Sequence, residues 1–329
     1  MAEATSTSAG MPALFIYIPT YNRLATLKLQ LDALTAQRDA YPGPVRILVS
    51  DNASPAITDE QLSALAQEYG IEVRRNPGNI GANANIALGF IFADPEGLLW
   101  ILSDDDTVSP DALSYIAEHC QGVDYDIITF YTKITEPGEF THRWVRAWED
   151  LHETGLISNV IYKASVFLPE ARKAFLYHNT SFPHLAVMLV TLRERGELRY
   201  RLLPSSRLLT VATSHAEEPG DYSLSYSGMP QIIPLLPAAQ ARVFARQWVR
   251  SSGRGFLKSR DSLPGAYVST RAHIKRFGGL RARLMLAALR IEHATYGPTL
   301  HRALDAIRRR LPNSAKDSLR SLMDRRRGR

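Results

Sequence analysis

Over the first 120 residues, short apolar runs alternate with longer amphipathic stretches. Leu14-Phe15-Ile16-Tyr17-Ile18, closed by Pro19, has the length and character of a buried strand. Leu24, Leu27, Leu31 and Leu34 repeat at helical spacing, and Asn22 stands where a cap is expected. Val45–Val49 is a second strand. Thr58 with Gln61 gives a capping box for a helix through Leu62, Leu65 and Tyr69, stopped by Gly70. Residues 71–75 predict a third strand, 76–81 a loop, and 82–92 a helix with small residues on one side. Leu98–Leu102 is a fourth apolar run, which ends in Ser103-Asp104-Asp105-Asp106. Ser109 as cap and Pro110 at the first position then open another helix. Strands alternating with helices predict parallel βαβ units, a sheet covered by helices on both faces.

The later pattern is less regular. Residues 124–131 read as a strand and Glu136–Glu139 as a turn. Residues 155–163 form a further strand-like segment, Leu185–Leu192 an apolar helix, and 207–211 a strand. The rest is helical in pattern: 234–248, 280–296, 299–311 before Pro312, and 315–323. Leu280, Leu284, Ala287, Ala288 and Ile291 share one face of the 280–296 helix, with Arg281, Arg283 and Arg290 largely elsewhere.

Charge changes this picture mainly at the C-terminus. The chain of 329 residues carries a net charge of +6. Between Arg271 and Arg329 stand 16 Lys/Arg and four Asp/Glu, a balance of +12, so the remainder carries −6. The basic helices suit an anionic membrane surface; the alternative is a packing domain with a charged solvent face. No aromatic single-strand platform or recognition-helix signature accompanies them, so nucleic acid is not an expected partner. No run of about 18 apolar residues occurs, so no spanning helix is expected. Residues 1–12 read as a disordered leader, and Met1–Gly10 lacks the apolar core of a secretory signal. The single cysteine, Cys120, excludes an intramolecular disulfide and points to a reducing, cytoplasmic setting.

The candidate chemistry lies at the carboxyl ends of the predicted strands, where open α/β sheets bind ligands. Three polar loops, 19–23, 50–54 and 103–106, should open at one sheet edge. Three adjacent carboxylates repel one another and call for a cation. A hard divalent ion, Mn²⁺ or Mg²⁺, prefers such oxygen ligands and bridges them to phosphates. The alternative is a solvated turn before the next helix.

Ile18-Pro19-Thr20-Tyr21-Asn22-Arg23, Val49-Ser50-Asp51-Asn52-Ala53-Ser54, Asn79-Ile80-Gly81 with Asn85, and Leu102-Ser103-Asp104-Asp105-Asp106 resemble, in order and spacing, family 2 glycosyltransferases with the GT-A fold. In detail the chain is similar to the abequosyltransferase-like branch, which builds surface polysaccharides such as O-antigen. The resemblance covers about residues 13–120. It implies an α/β fold, a Rossmann-like, mostly parallel mixed sheet flanked by helices. A nucleotide-binding half (13–120) and an acceptor half (121–230) would form the catalytic domain, followed by the basic helical extension 231–329. Pro19, Thr20, Tyr21, Arg23, Asp51, Asn52, Asn79, Gly81, Asn85 and Asp104 would bind a nucleotide-sugar donor, with Asp51 accepting from the base. Asp104, Asp105 and Asp106 would hold the cation on the diphosphate, Asp105 being its principal ligand in one register, and His215 would complete the shell. His215 in a mobile loop is the alternative. An Arg that the family often carries before the helical Asn is Ala84 here; Arg74 or Arg75 would contact the diphosphate instead, or be exposed strand-end charges.

On the acceptor side, Ser158 and Asn159 are hydroxyl-binding candidates. Trp148, with Trp144, would stack on a sugar face or pack in the core. Residues 217–228 would form a lid over the donor. Inverting members usually supply a carboxylate base where this chain has Thr180-Ser181-Phe182-Pro183-His184. His184 is therefore the candidate base, since an imidazole near pKa 6.5 suits that work, with a structural histidine as the alternative. Glu149, Asp150, His178, Glu217 and Asp221 are reserves. The expected activity is transfer of a hexosyl or deoxyhexosyl group to a saccharide, free or lipid-linked, by a protein peripheral to the inner membrane face. A nucleotidyltransferase would want a glycine- and lysine-rich first loop, which Pro19–Arg23 is not. A sugar-nucleotide-binding protein without transfer activity is the other alternative.

Overall fold

The structure is a computed structural model that describes residues 11–121, 125–132, 134–142, 154–180, 182–211, 228–258 and 264–295. Residues 1–10 of the leader, Trp144 and Trp148, most of the 217–228 segment with His215, and both helices expected beyond residue 298 lie outside the described residues.

The first half follows the predicted alternation: β1 (Leu14–Thr20), α1 (Leu24–Thr35), β2 (Val45–Asp51), α2 (Asp59–Tyr69), β3 (Glu72–Arg75), α3 (Ala82–Phe92) and β4 (Leu98–Ile101). β5 (Asp106–Val108) and α4 (Ala112–Cys120) come next. The second half adds β6 (Ile127–Tyr131), β7 (Gly138–His142), β8 (Val160–Lys163), α5 (Pro183–Arg195), β9 (Leu198–Pro204) and β10 (Leu209–Val211). Three helices close the described chain: α6 (Ala238–Lys258), α7 (Pro264–Phe277) and α8 (Gly279–Thr295).

The main sheet has the order β3-β2-β1-β4-β8-β6-β9-β7. β1, β2, β3 and β4 run parallel, β8 is antiparallel to both β4 and β6, β9 is parallel to β6, and β7 is antiparallel to β9. Pleating sends successive side chains to opposite faces. Phe15, Tyr17, Leu99 and Ile101 enter one apolar cluster, while Leu14, Ile16, Ile18, Leu98, Trp100 and Leu102 enter the other. Both faces are thus covered, which is why these strands read as unbroken apolar runs. Burying each such side chain contributes about 1.5–3 kcal/mol. Gly89 in α3 permits the close helix–sheet approach: a Cβ there would lie 2.9 Å from the Tyr17 ring.

Local signals explain most boundaries. Thr58 Oγ1 accepts from the Gln61 N–H at 3.2 Å while Gln61 Oε1 accepts from the Thr58 N–H at 2.8 Å. Gly70 ends α2 with φ +59°, a conformation that costs a residue without Cβ little. Two expectations change. Asn22 does not cap α1; it sits at φ +57° and its side-chain oxygen accepts from the Ala56 N–H at 3.3 Å, joining the first polar loop to the second. Pro110 precedes α4 instead of opening it, because Asp111 takes the N-cap position. The C-terminal helices are also not a free-standing appendage in the described region. Phe244, Trp248, Phe256, Tyr267, Ile274 and Leu286 enter the same cluster as Phe90 of α3 and the apolar residues of α5.

Candidate active site

The three polar loops do meet at the carboxyl edge of the parallel strands. The Thr20 hydroxyl, at the end of β1, donates to Asp104 Oδ2 at 2.8 Å, tying the β1 tip to the turn after β4. Arg23 Nη1 lies 3.0 Å from Asp104 Oδ1 and 3.0 Å from Asp105 Oδ2. One guanidinium thus bridges two neighbouring carboxylates. The Ser103 hydroxyl donates to Asp105 Oδ1 at 2.5 Å. Asp104 is 4% exposed. Burial pushes its carboxyl above the ordinary value, while the Arg23 charge and the Thr20 hydroxyl pull it back.

The turn is fixed from below. Gln30 of α1, almost fully buried, donates to the Asp106 carbonyl at 2.6 Å and to the Ser103 carbonyl. The Ser103 N–H donates to Ser158 Oγ at 2.9 Å, and the Trp100 indole donates to the Ser158 carbonyl at 2.8 Å. Gln30 was missed in the sequence. Its signal was a polar residue one position before Leu31 in an otherwise apolar helix stripe.

At the end of β2, Asp51 is fully buried; its Oδ2 accepts from the Ser54 N–H at 3.1 Å and lies 3.2 Å from Arg75 Nε, while Oδ1 has no hydrogen-bond partner. This oxygen has the chemistry to accept from an N–H of a base edge, but it is closed off from solvent as placed, so such contact would require the 50–54 loop to open. A cleft of about 620 Å³ opens beside it, lined by Ala53, Asp59, Leu62, Arg75, Asn76 and Pro77 among others. Asn52 is buried and bonds the side chains of Asn76 and Asn79 and the Ile80 N–H. Around this floor Tyr21, Asn79, Ile80 and Gly81 are exposed. Pro19 is half-buried above it.

Several candidates take other duties. Asn85 is 1% exposed, and its amide bonds Ser50, Asn76 and Tyr17. It ties α3 to β1 and β2 and presents nothing to the edge. Ser158 is buried and its hydroxyl is spent on Ser103, so it supports the acidic turn and does not face an acceptor; Asn159 is buried as well. Arg75 serves Asp51 and Asp59, the latter at 2.6 Å, and Arg74 stacks over the Phe92 ring at 4.3 Å. Neither reaches the acidic turn.

The expected base at His184 is corrected. Its ring is fully buried, with Nε2 3.1 Å from the Gly155 carbonyl and 3.2 Å from the Thr154 carbonyl, and Nδ1 without a partner. Burial pushes its pKa down to about 4. A base must touch the proton it takes; this ring touches two carbonyls inside the fold, the structural alternative.

The acidic turn carries hard oxygen donors, the right chemistry for a divalent cation. Yet Arg23 already holds Asp104 and Asp105, and among the described residues no three His, Cys, Asp or Glu side chains converge as a metal site. As placed, these residues do not form a cage. Asp106 sits in β5, where it pairs with Val211 of β10. The chain leaves β10 there toward His215, outside the described residues.

A doubly covered, mostly parallel sheet with an acidic turn after its fourth strand and a buried carboxylate after its second is an α/β architecture of the GT-A type. Residues 15–182 match the family model described as Glycosyl transferase family 2. The chain belongs to that family. An N-acetylglucosaminyltransferase of Rhizobium leguminosarum bv. trifolii is 29% identical over 121 residues, which are 36% of this chain and 65% of that protein. The chain therefore spans less than two thirds of that relative. The crystal structure of S. aureus TarS 1-349 superposes with a TM-score of 0.55 at 16% identity, covering 86% of this chain and 87% of that one. The same fragment in complex with UDP-GlcNAc gives 0.54 at 16% identity, with coverage of 86% and 87%. At such identity the likeness establishes the fold.

Proposed function

We propose that the protein transfers a sugar from a nucleoside-diphosphate sugar to a saccharide acceptor. The observation that carries this reading is the convergence of Thr20, Arg23, Asp104 and Asp105 at one sheet edge, beside the unpartnered Oδ1 of Asp51. Asp51 accepts from the base, Tyr21 and Pro19 flank it, and the half-exposed Arg23 supplies positive charge at the acidic turn, where the diphosphate is held and released. Holding donor and acceptor in line supplies much of the acceleration. A Mn²⁺ or Mg²⁺ ion, if bound by Asp104, Asp105, Asp106 and His215, would stabilise the departing diphosphate as a Lewis acid. UDP-GlcNAc is the first donor to test, because two of the proteins this chain resembles are named for that sugar or were crystallised with its nucleotide. A lipid-linked saccharide acceptor, and a peripheral place on the inner membrane face, belong to the same proposal. Among the described residues no helix is long and apolar enough to cross a membrane.

The test is calorimetric titration of UDP-, GDP-, dTDP- and CDP-sugars, with Mn²⁺, with Mg²⁺ and with EDTA. One nucleotide should bind, and Asp51→Asn should weaken it by about tenfold or more, the scale of one charge-assisted hydrogen bond. Binding of no nucleotide sugar, or equal binding by Asp51→Asn, refutes the site. Transfer product analysed by NMR then gives the anomeric outcome.

A further inference from the structure

The face formed by α7 and α8 is strongly basic. α6, α7 and α8 together hold eleven Lys/Arg and one acid, Glu292. Between α7 and α8 runs a groove of about 560 Å³ whose lining includes Arg271, Lys275, Arg276, Arg283 and Arg290 over a floor of Leu286 and Ala287, with no acidic residue. Among the described residues, Arg271, Lys275, Arg283 and Arg290 make no ion pair. Some arginines elsewhere do pair, as Arg46 with Glu72 and Arg207 with Asp111. Clustering unpaired like charges costs free energy, so a concentrated cationic groove points to an anionic partner.

The neighbouring apolar residues say which kind. Val268 is 65% exposed, Leu280 70% and Leu284 59%. Val268, Arg271, Ala272 and Lys275 lie on one stripe of α7, spaced three to four residues apart; on α8, Leu280, Leu284 and Ala287 form an apolar stripe with Arg283 and Arg290 along its edge. A soluble polyanion uses the charges and gains nothing from bare leucines. A bilayer surface uses both: phosphate headgroups meet the guanidinium and ammonium groups while apolar side chains enter the headgroup–acyl boundary.

We propose that the α7–α8 face is a membrane-docking surface that seats on anionic phospholipid, the Arg271–Lys275–Arg283–Arg290 groove taking phosphate headgroups and Val268, Leu280 and Leu284 inserting beside them. This rests on the membrane side of the proposed function but not on transfer activity.

The experiment is flotation of the full chain with vesicles of phosphatidylcholine alone, and with about one third phosphatidylglycerol. The parent should bind only the anionic vesicles. The variant Arg271→Gln/Lys275→Gln/Arg283→Gln/Arg290→Gln should lose roughly a thousandfold in partitioning, at the usual gain per basic residue near an anionic surface. Leu280→Ser/Leu284→Ser, which keeps every charge, should also lose partitioning, by about tenfold. Circular dichroism and UDP-GlcNAc titration on each variant report folding and the donor site separately. Should Leu280→Ser/Leu284→Ser fail to fold, Leu280→Ser alone, at the most exposed position, stands in for it. Parent-like flotation of the four-charge variant overturns the proposal. So does equal binding of the parent to both vesicle types, or a serine variant that floats like the parent while the parent binds single-stranded RNA as tightly as vesicles, which would make the groove a soluble-polyanion site.

Discussion

Arg23→Ala isolates the electrostatics of the acidic turn. Removing one partner of a buried ion pair costs about 3–5 kcal/mol, because a desolvated charge is left behind. Asp104 fits the buried side of that description, at 4% exposure. Arg23 does not, since its side chain is 35% exposed and water screens part of the attraction; the expected loss is therefore about 1–2 kcal/mol. In a protein of this size that is roughly 2–4 °C in Tm. The pH dependence follows from the direction of the Asp104 shift. Its folded carboxyl holds a proton more tightly than the unfolded chain does, above the ordinary value of 3.8. The penalty of burying it is thus absent below that value, grows as pH rises, and is complete above the raised pKa. Losing Arg23 raises that pKa further. The Tm difference between parent and Arg23→Ala should accordingly be largest near neutral pH and shrink toward pH 4. Adding Asp104→Asn removes the buried charge, so the double variant should recover most of the loss. Thermal unfolding of the four proteins across pH 4–8 is the assay. An equal Tm loss from Arg23→Ala with and without Asp104→Asn, or a loss that does not change with pH, refutes the reasoning.

His184 gives an acid limb of its own: with its pKa pushed down to about 4 from an ordinary 6.5, the neutral ring's stabilisation is full above 6.5 and is lost as pH falls toward 4, by about 3 kcal/mol. His184→Gln should flatten that limb in urea titrations at pH 7 and pH 4 and leave transfer per folded molecule within about twofold; a collapse of transfer with folding intact would restore the base. Asn85→Ala should cost about 1–3 kcal/mol by removing a side-chain partner of buried Ser50 and Asn76, while Tyr17 keeps its bond to the backbone carbonyl of residue 85, read as a lower urea midpoint.

What the chain discloses before folding is uneven, for physical reasons. Strands β1, β2 and β4 are legible because burial on both faces demands unbroken apolar runs, and their carboxyl-end loops are legible because three polar turns must then share one edge. β9 is not. Leu198-Arg199-Tyr200-Arg201-Leu202-Leu203 interleaves arginines, and its place follows from partners far away: Arg199 and Arg195 lie against buried Asp126, at 3.6 Å and 3.4 Å. β5 was equally hidden, since a three-residue strand carries no periodicity, and although 207–211 reads as a strand, its pairing with β5 does not show in the sequence. Among site residues, Asp51 and Asp104 declared themselves as acids ending apolar runs. Asn85, Ser158 and His184 were read from their positions in the family resemblance and from their chemistry. Their burial, which only the three-dimensional packing decides, assigns them to holding the edge together.

The shared core gives the docking face a mechanical consequence. α6, α7 and α8 pack Trp248, Phe256 and Ile274 into the cluster that covers one face of the sheet. Phe256 stacks on Tyr267 at 4.7 Å and Trp248 meets Phe256 edge-on at 5.3 Å. Close-packed side chains of this kind transmit displacement and do not absorb it. A membrane held at Arg271 and Arg283 would therefore hold the sheet, and with it the turn carrying Asp104, at a set height and tilt. An acceptor anchored in the same bilayer would then meet the donor edge in a restricted range of poses, which lowers the entropy cost of bringing the two together. On this argument Leu280→Ser/Leu284→Ser should raise KM for an acceptor presented on anionic vesicles and leave KM for the same saccharide in solution unchanged, a split that a purely structural defect in α8 would not produce.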